Sequence, residues 1–127
     1  IVGWQPVPEK WADHPKHAHN RLLTSIVMSN AEREEIAHAH ARQLSTATGP
    51  TAVLLPRDGL GEWDREGADL HDRDGLEVFL AALRASLPDA VQVYDVDAHI
   101  NDLRFAEQAL EIFDQWCAEG LVQRGQD

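Results

Sequence analysis

Three polar residues alternate at the end of a predicted strand, and their types are suited to chemistry. Asp95, Asp97 and His99 are each two residues apart, so in an extended chain their side chains point the same way. A carboxylate beside an imidazole can bind a divalent metal, or it can hold His99 as a general base that positions or transfers a proton. The simpler interpretation, which we favour, is that Asp97 and Asn101 cap the next helix while His99 makes local hydrogen bonds. The spacing fits no specific metal motif, so we predict no metal site.

Two further segments follow predicted strands and could contact an anion. Ser29 would lie at a helix N-terminus, where free N–H groups suit an anion, although an ordinary helix cap has the same sequence. Residues 57–61 (RDGLG) could cradle a phosphate, with Arg57 pairing with the anion, or they could form a flexible loop. They lack the Gly-Lys-Ser/Thr of a P-loop and the third glycine of a dinucleotide fingerprint. The predicted site comprises His99 as the catalytic candidate and, as ligand-binding residues, Asn20, Ser29, Arg57, Asp58, Gly59 and Asn101.

Alternating strands and helices are predicted to position these residues. The predicted strands are short apolar runs rich in β-branched residues, at 22–28, 51–56 and 91–96. Helices are predicted to begin at Ser29, where Glu32 completes a capping box, at Asp74 and at about Asp102. The β-α-β-α-β-α order predicts an α/β, Rossmann-like three-layer domain with a mainly parallel sheet. Ligands bind such sheets beyond the carboxyl ends of the strands, where all three candidate segments fall.

Composition limits the classes of partner. The net charge is −11, and the whole excess lies in residues 57–127; a field of that sign repels nucleic acid and anionic lipid, so we expect neither as a partner. No apolar run approaches the roughly 20 residues needed to span a bilayer, and no secretory signal is visible. A single cysteine, Cys117, excludes an internal disulfide and fits a reducing, cytoplasmic location. We predict Cys117 as a buried, inert thiol in the last helix, whose inward residues are predicted to be Phe105, Ala106, Ala109, Leu110, Phe113, Trp116 and Cys117.

The beginning of the chain predicts that it is part of a larger protein. Residues 1–20 are interrupted by prolines, and we predict an irregular arm whose Trp4 and Trp11 pack on a missing domain or a partner chain. The chain starts at Ile1 rather than Met, which predicts that its start is trimmed, processed or cut from a longer chain. Three strands also make a thin sheet. We therefore predict an arm over 1–20 and an α/β domain over 21–127, the C-terminal part of a two-domain protein, with the N-terminal domain and further copies of the chain as partners.

Several short motifs, taken together, resemble a family of uncharacterised two-domain proteins from bacteria, fungi and plants, including the plant tobamovirus-resistance protein. The matching residues are Gly49-Pro50, Leu54-Leu55-Pro56, Gly59, Asp64, Gly67, Asp72 and Asp97-Ala98-His99-Ile100-Asn101-Asp102. The resemblance runs from about Val2 to Phe113, and it departs from the family at residues 27–30 and at Gly61. It implies the C-terminal one of two Rossmann-like domains. The family is described as ATP-binding, but that description rests on the N-terminal domain and places no nucleotide contact here.

Three functions remain open at this point. The first is a domain that binds a small anionic or nucleotide-like ligand at the strand ends together with an N-terminal domain. The second is a protein-interaction or oligomerisation module without catalysis. The third is a metal-dependent hydrolase using Asp95, Asp97 and His99. The sequence identifies no cofactor or substrate and does not decide whether the protein is an enzyme.

Overall fold

The helices and strands of the chain are short and alternate only after residue 30. A computed structural model describes residues 1–3 and 6–122, so Trp4 of the predicted arm lies outside the described residues. The strands are β1 (Val2–Gly3), β2 (Lys16–Ala18), β3 (Leu23–Ile26), β4 (Ala52–Pro56) and β5 (Gln92–Val96). The α-helices are α1 (Asn30–Leu44), α2 (Arg73–Ser86) and α3 (Leu103–Ala118). Short 3₁₀ turns lie at Glu9–Trp11 and Glu62–Asp64.

The strands form two small sheets instead of one. In the first, β3 lies between β1 and β2 and is antiparallel to both. Val2 pairs with Thr24 on one side of β3, and His17 pairs with Ser25 on the other. The second sheet contains β4 and β5, which are parallel, with Val53 opposite Val93. The parallel pairing is therefore limited to two strands.

The predicted Rossmann-like three-layer fold with β-α-β-α-β-α order is wrong, although the chain is α/β. The predicted first strand, 22–28, does form as β3, but its partners are local. Asn20 causes the chain to turn back, because its Oδ1 accepts hydrogen bonds from the N–H groups of Leu22 at 2.7 Å and Leu23 at 3.0 Å. Residues 1–20, predicted to be irregular, supply β1 and β2. Since these strands occupy both edges of β3, β3 has no edge left for pairing with β4.

The helix starts follow local capping signals. Ser29 Oγ accepts a hydrogen bond from the Glu32 N–H at 3.4 Å, and Glu32 Oε2 accepts one from the Ser29 N–H at 2.9 Å, so the predicted capping box is confirmed. α2 begins earlier than predicted, because Asp72 caps it by accepting a hydrogen bond from the Gly75 N–H at 3.0 Å. In the part of the chain that the structure covers, no helix combines the length and the apolar character that a membrane crossing requires.

The apolar core lies between the parallel sheet and helices α1 and α2. Its centre consists of Ala37, Leu55, Leu80 and Leu83. Small side chains at Ala37 and Ala41, both buried, let α1 approach α2 closely. Side chains alternate along β5, so Val96 lies on the opposite face of the sheet from Val93. α3 lies on β5, and both Val96 and Ile112 are buried.

α3 is less buried than its sequence predicts. Of the residues predicted to face inward, Phe105, Trp116 and Cys117 are only partly buried. Four others are exposed: Ala106, Ala109, Leu110 and Phe113. Ile112, the one buried residue of this helix, is not among the predicted inward residues. The two-stranded sheet covers only part of the apolar side of α3.

The N-terminal segment is attached to α1 through Glu32. Trp11 Nε1 donates a hydrogen bond to Glu32 Oε1 at 2.8 Å, and His14 Nε2 lies 2.9 Å from Glu32 Oε2. Lys10 Nζ lies 3.9 Å from the centre of the Trp11 ring. The Ser29 N–H and hydroxyl, followed by Trp11 and His14, lower the pKa of Glu32 from 4.5 to about 2. Trp11, predicted to need another domain as cover, is thus partly covered by its own chain.

Acid should weaken the fold through Glu32. Its pKa of about 2 in the folded chain lies below the ordinary value of 4.5, so its stabilising effect is present above pH 4.5 and is lost as the pH falls from 4.5 towards 2. Glu32→Gln should therefore flatten the dependence of the unfolding free energy on pH in this window, as measured by urea denaturation. Glu35→Gln, at an exposed position of the same helix, should keep the wild-type dependence. Identical slopes in all three proteins would refute this role.

Truncation of Leu80 should test the position of the core. Leu80 is 1% exposed, and Leu80→Ala should lower the free energy of unfolding by about 2–5 kcal/mol through the cavity it leaves. Leu110→Ala is the matched control, because Leu110 is also helical but 62% exposed. It should cost less than about 0.5 kcal/mol in this chain. Equal losses of unfolding free energy for the two variants in urea denaturation would contradict a core centred on Leu80.

Candidate functional site

The carboxyl ends of β4 and β5 remain joined beyond the strands. Backbone hydrogen bonds continue past the last paired residues, so segments 57–59 and 97–100 lie side by side. Three bonds make this connection: Arg57 N–H to Val96 O at 2.9 Å, Asp58 N–H to Ala98 O at 3.2 Å and Ile100 N–H to Gly59 O at 3.0 Å. Two of the three predicted ligand segments therefore meet at one end of the parallel sheet. The third, at Ser29, follows β3, which belongs to the other sheet.

His99 is the buried centre of this junction. Its side chain is 2% exposed, and its Nε2 lies 3.0 Å from Asp64 Oδ1 and 2.9 Å from the Gly61 carbonyl oxygen. Its Nδ1 lies 3.1 Å from the backbone nitrogen of Asn101. An amide N–H can only donate, so Nδ1 must be the unprotonated acceptor and Nε2 must carry a proton. Both ring nitrogens are thus engaged with groups of this chain.

Asp64 closes the loop that follows β4. Its Oδ2 accepts hydrogen bonds from the N–H groups of Leu60 at 2.7 Å and Gly61 at 3.1 Å, while its Oδ1 faces His99. The same loop is attached to the antiparallel sheet through Trp63, whose ring stacks on His17 with the centroids 4.0 Å apart. The long loop is therefore tied to both sheets.

Asp102 adds a second connection between this loop and the start of α3. Its Oδ2 accepts a hydrogen bond from the His99 N–H at 3.0 Å, and both terminal nitrogens of Arg65 lie 3.1 Å from its Oδ1. The His99 N–H and then the Arg65 guanidinium lower the pKa of Asp102. Asn101 Nδ2 donates to Glu62 Oε2 at 3.0 Å, and this bond, followed by Arg65, lowers the pKa of Glu62. Both carboxylates are stabilised in their charged forms.

A polar pocket of about 440 Å³ opens beside this junction. It is lined by Asp58, Arg65, Glu66, His71, Arg73, His99 and Asp102. Arg73 Nη1 donates to the Arg57 carbonyl oxygen at 2.8 Å, and its Nη2 lies 3.2 Å from Glu77 Oε1. Arg57 Nη2 lies 2.9 Å from the other oxygen of Glu77. Arg57, Arg65 and Arg73 are three of the six basic residues in the acidic part of the chain, 57–127.

An apolar cleft of about 350 Å³ lies on another side of the same loop. Its lining includes Ile26, Met28, Ile36, Leu60, Leu76 and Phe79. Its polar end is formed by Arg33, whose Nη1 is 2.7 Å from Asp72 Oδ2. The Gly75 N–H and then Arg33 lower the pKa of Asp72. The Arg33 guanidinium lies so close over Gly75 that a side chain there would collide with it. Its charge is paired with Asp72, although Nη1 is buried and makes no hydrogen bond of good geometry within the described part of the chain.

The predicted ligand residues fall into separate groups. Asp58 and His99 line the polar pocket, and Arg57, Gly59 and Asn101 belong to the junction beside it. Ser29 instead caps α1, and Asn20 forms the turn before β3. No sequence pattern predicts the pocket residues Arg65, Glu66, His71 and Arg73, and Asp64 is indicated only by the motif match. Ligand binding by any of these residues stays a prediction.

The residues of the hydrolase hypothesis are engaged elsewhere. Asp95 forms ion pairs with Arg84 and, at 3.9 Å, with Arg57, whereas His99 faces Asp64. Within residues 1–3 and 6–122, no group of three or more His, Cys, Asp or Glu side chains is arranged to hold a metal ion. The hydrolase hypothesis therefore gains no support from the geometry.

Comparison with known proteins gives a family and no activity. Residues 1–117 match the family described as Uncharacterised protein family (UPF0261) C-terminal domain. The chain is 45% identical over 125 residues to a UPF0261 protein of Brucella melitensis biotype 1 and 44% identical over 125 residues to one of Brucella suis biovar 1. Each alignment covers 98% of this chain, which spans only 30% of the length of these relatives. A UPF0261 protein of Clostridium tetani is 26% identical over 103 residues, 80% of this chain and 26% of that protein.

The match confirms the predicted likeness to a C-terminal domain of longer proteins. The resemblance to the plant tobamovirus-resistance protein stays a prediction. So does the division of the chain at residue 20.

Gly59 and Gly61 should respond differently to the same substitution. Gly59 has a φ of +131°, and a Cβ atom there would lie 2.6 Å from His99 Cδ2 and would also collide with Asp64 Oδ1. Gly59→Ala should therefore lower the free energy of unfolding by more than about 1 kcal/mol. Gly61→Ala is the control, because no atom lies within 4 Å of its Cβ position. Similar urea-denaturation midpoints for the two variants would contradict the close packing of Gly59 on His99.

Proposed function

We propose, since this chain belongs to the UPF0261 family and matches its C-terminal domain, that the domain supplies the polar pocket beyond β4 and β5 to a binding site for a small anionic ligand. The observation that carries the proposal is the backbone connection past the ends of the parallel strands, which gathers Asp58, His99 and the neighbouring arginines around one pocket. The carboxyl ends of parallel strands are where α/β proteins bind ligands.

Arg65 and Arg73 are the groups in the pocket lining that would bind an anion. They lie beside three acids, Asp58, Glu66 and Asp102. Half of the basic residues in 57–127 lie at this end of the sheet, in a region with a large excess of acids. Arg65 and Arg73 are held by carboxylates and a backbone carbonyl. A guanidinium has five N–H donors in a rigid fork, so a paired arginine can still donate to a phosphate or carboxylate. Anchored arginines also lose little side-chain freedom when a ligand binds.

The rest of the full-length protein would complete the site. Most of the length of the Brucella relatives lies outside the region matched by this chain, and pockets commonly lie between domains. The resemblance to two-domain, ATP-binding proteins adds nucleotides to the anions that deserve testing. The geometry favours a binding role for His99 over a catalytic one, because both of its ring nitrogens already have partners. A cytoplasmic location and self-association stay predictions.

Arg73→Gln should weaken ligand binding if the pocket takes an anion. The experiment is isothermal titration calorimetry of the full-length protein that contains this chain, with ATP, glucose 6-phosphate and inorganic phosphate as probes. Loss of one charge-assisted hydrogen bond, worth about 1.5–3 kcal/mol, should reduce the affinity about 10- to 100-fold.

Arg104→Gln is the matched control for this experiment. Arg104 is exposed to about the same degree as Arg73, at 54% against 51%, and it is also paired with a glutamate, but it does not line the pocket. Its variant should bind as the wild type does. Equal affinities for wild type and Arg73→Gln, or the absence of binding by every probe, would rule out the proposed site.

A further inference from the structure

One side of α3 carries a continuous apolar stripe with the spacing of a helix-pairing seam. Five residues three and four positions apart form it: Leu103, Ala106, Leu110, Phe113 and Cys117. This alternation of three and four is the a/d pattern of helices that pack along one another. At 100° per residue the five positions fall within an arc of about 80°, and they extend over about 21 Å of the helix.

The stripe is not the side of α3 that the sheet covers. Leu103 is 75% exposed, Leu110 is 62% exposed and Phe113 is 45% exposed, while Ile112, on another side of the helix, is 5% exposed. Exposed single leucines are ordinary on protein surfaces, but three large apolar side chains in one row along about three turns of a helix are typical of an interaction site.

Acidic residues beside the stripe argue against a second copy as its partner. In the heptad frame set by the stripe, Glu107 and Asp114 both occupy the e position. An antiparallel pair of α3 helices would bring e positions of the two copies together, so that carboxylates face carboxylates. A parallel pair would place them opposite Asp102 and Ala109, the g positions five residues earlier, which offer no positive charge. The net charge of −11 on each chain adds to the repulsion.

The length of the relatives points to a different partner. The alignments with the two Brucella proteins cover 98% of this chain, so the shared region includes α3, yet they account for only 30% of each relative. The matched family is the C-terminal domain of these proteins. Each of these relatives therefore contains a large further region that is covalently linked to the segment matching α3, and a linked segment is present at a high effective concentration.

We propose that this stripe is a docking surface for an amphipathic helix from the region of the full-length protein outside this chain. The seam predicts a crossing angle of about 20° between the two helices. The acids at positions 107 and 114 predict neutral or basic residues beside the apolar positions of the partner helix. This surface is separate from the polar pocket, so the docking proposal does not depend on ligand binding.

The test compares the reactivity of two thiols introduced separately into the full-length protein. Leu110→Cys lies in the stripe and Gln115→Cys lies on the polar side of the same helix; both positions are exposed in this chain. The variants are alkylated with iodoacetamide, and mass spectrometry follows the modification of each introduced thiol. We expect the thiol at 110 to react at least about tenfold more slowly, the factor that corresponds to 1.4 kcal/mol of protection. The ratio should not change on a hundredfold dilution.

Each other outcome overturns the proposal. Equal rates at the two positions in a protein with a native circular dichroism spectrum would mean that no helix covers the stripe. Slow reaction at position 110 that becomes fast on dilution, together with a dimer mass from light scattering, would identify a second copy as the occupant. Cys is apolar but smaller than Leu, so the variant keeps the apolar character of the stripe while weakening the packing at position 110.

Discussion

The arrangement of the candidate site depends on the hydrogen bonds of one buried imidazole. A buried polar side chain is costly unless its donors and acceptors are satisfied. His99 meets this requirement with groups from two chain segments: the Asp64 carboxylate and Gly61 carbonyl on one ring nitrogen and the Asn101 N–H on the other. Because these partners come from the loop after β4 and the connection after β5, burial of this ring orders both segments at once. The walls of the polar pocket belong mainly to the same two segments, with Arg73 added from the first turn of α2, so the positions of most of them follow from this one interaction.

The hydrogen bonds of His99 also explain the residues around it. Gly59 has no side chain because the imidazole and Asp64 occupy the space where a Cβ would lie. Asp102 is held by the backbone N–H of His99 and in turn holds Arg65 beside the pocket. A long loop with few apolar residues can be ordered in this way, because satisfied polar contacts replace the apolar packing that the two-stranded sheet cannot supply. The arginines at the pocket are consequently positioned before any ligand arrives, which lowers the entropic cost of binding one.

The sequence predicts local features of this fold well and pairing between distant segments poorly. The capping box at Ser29, the strands that became β4 and β5, and the extent of α3 all follow from residues close together in the chain. Strand pairing is different, because several segments can pair with the same strand edge. The polar sequence of β2, 16–18, has no strand pattern, so nothing in the sequence indicates that β2 pairs with β3. The same limit applies to the site. Asp58 and His99 follow from the rule about parallel strand ends, whereas His99 and Asp64 are 35 residues apart, and no periodic pattern connects them.

The exposure of α3 follows from a mismatch between the helix and the sheet beneath it. Its apolar residues span about half of the helix circumference, wider than the stripe of about 100° that a single core contact needs. A sheet of two strands about 4.8 Å apart is narrower than a helix with its side chains, about 10–12 Å. β5 therefore covers the side with Ile112, and the side with Leu110 is left in solvent. An apolar surface of this kind is costly in water unless another element covers it. The parallel sheet has only two strands, so it is too narrow to form a Rossmann-like layer. For the same reason it leaves a second apolar side of α3 uncovered.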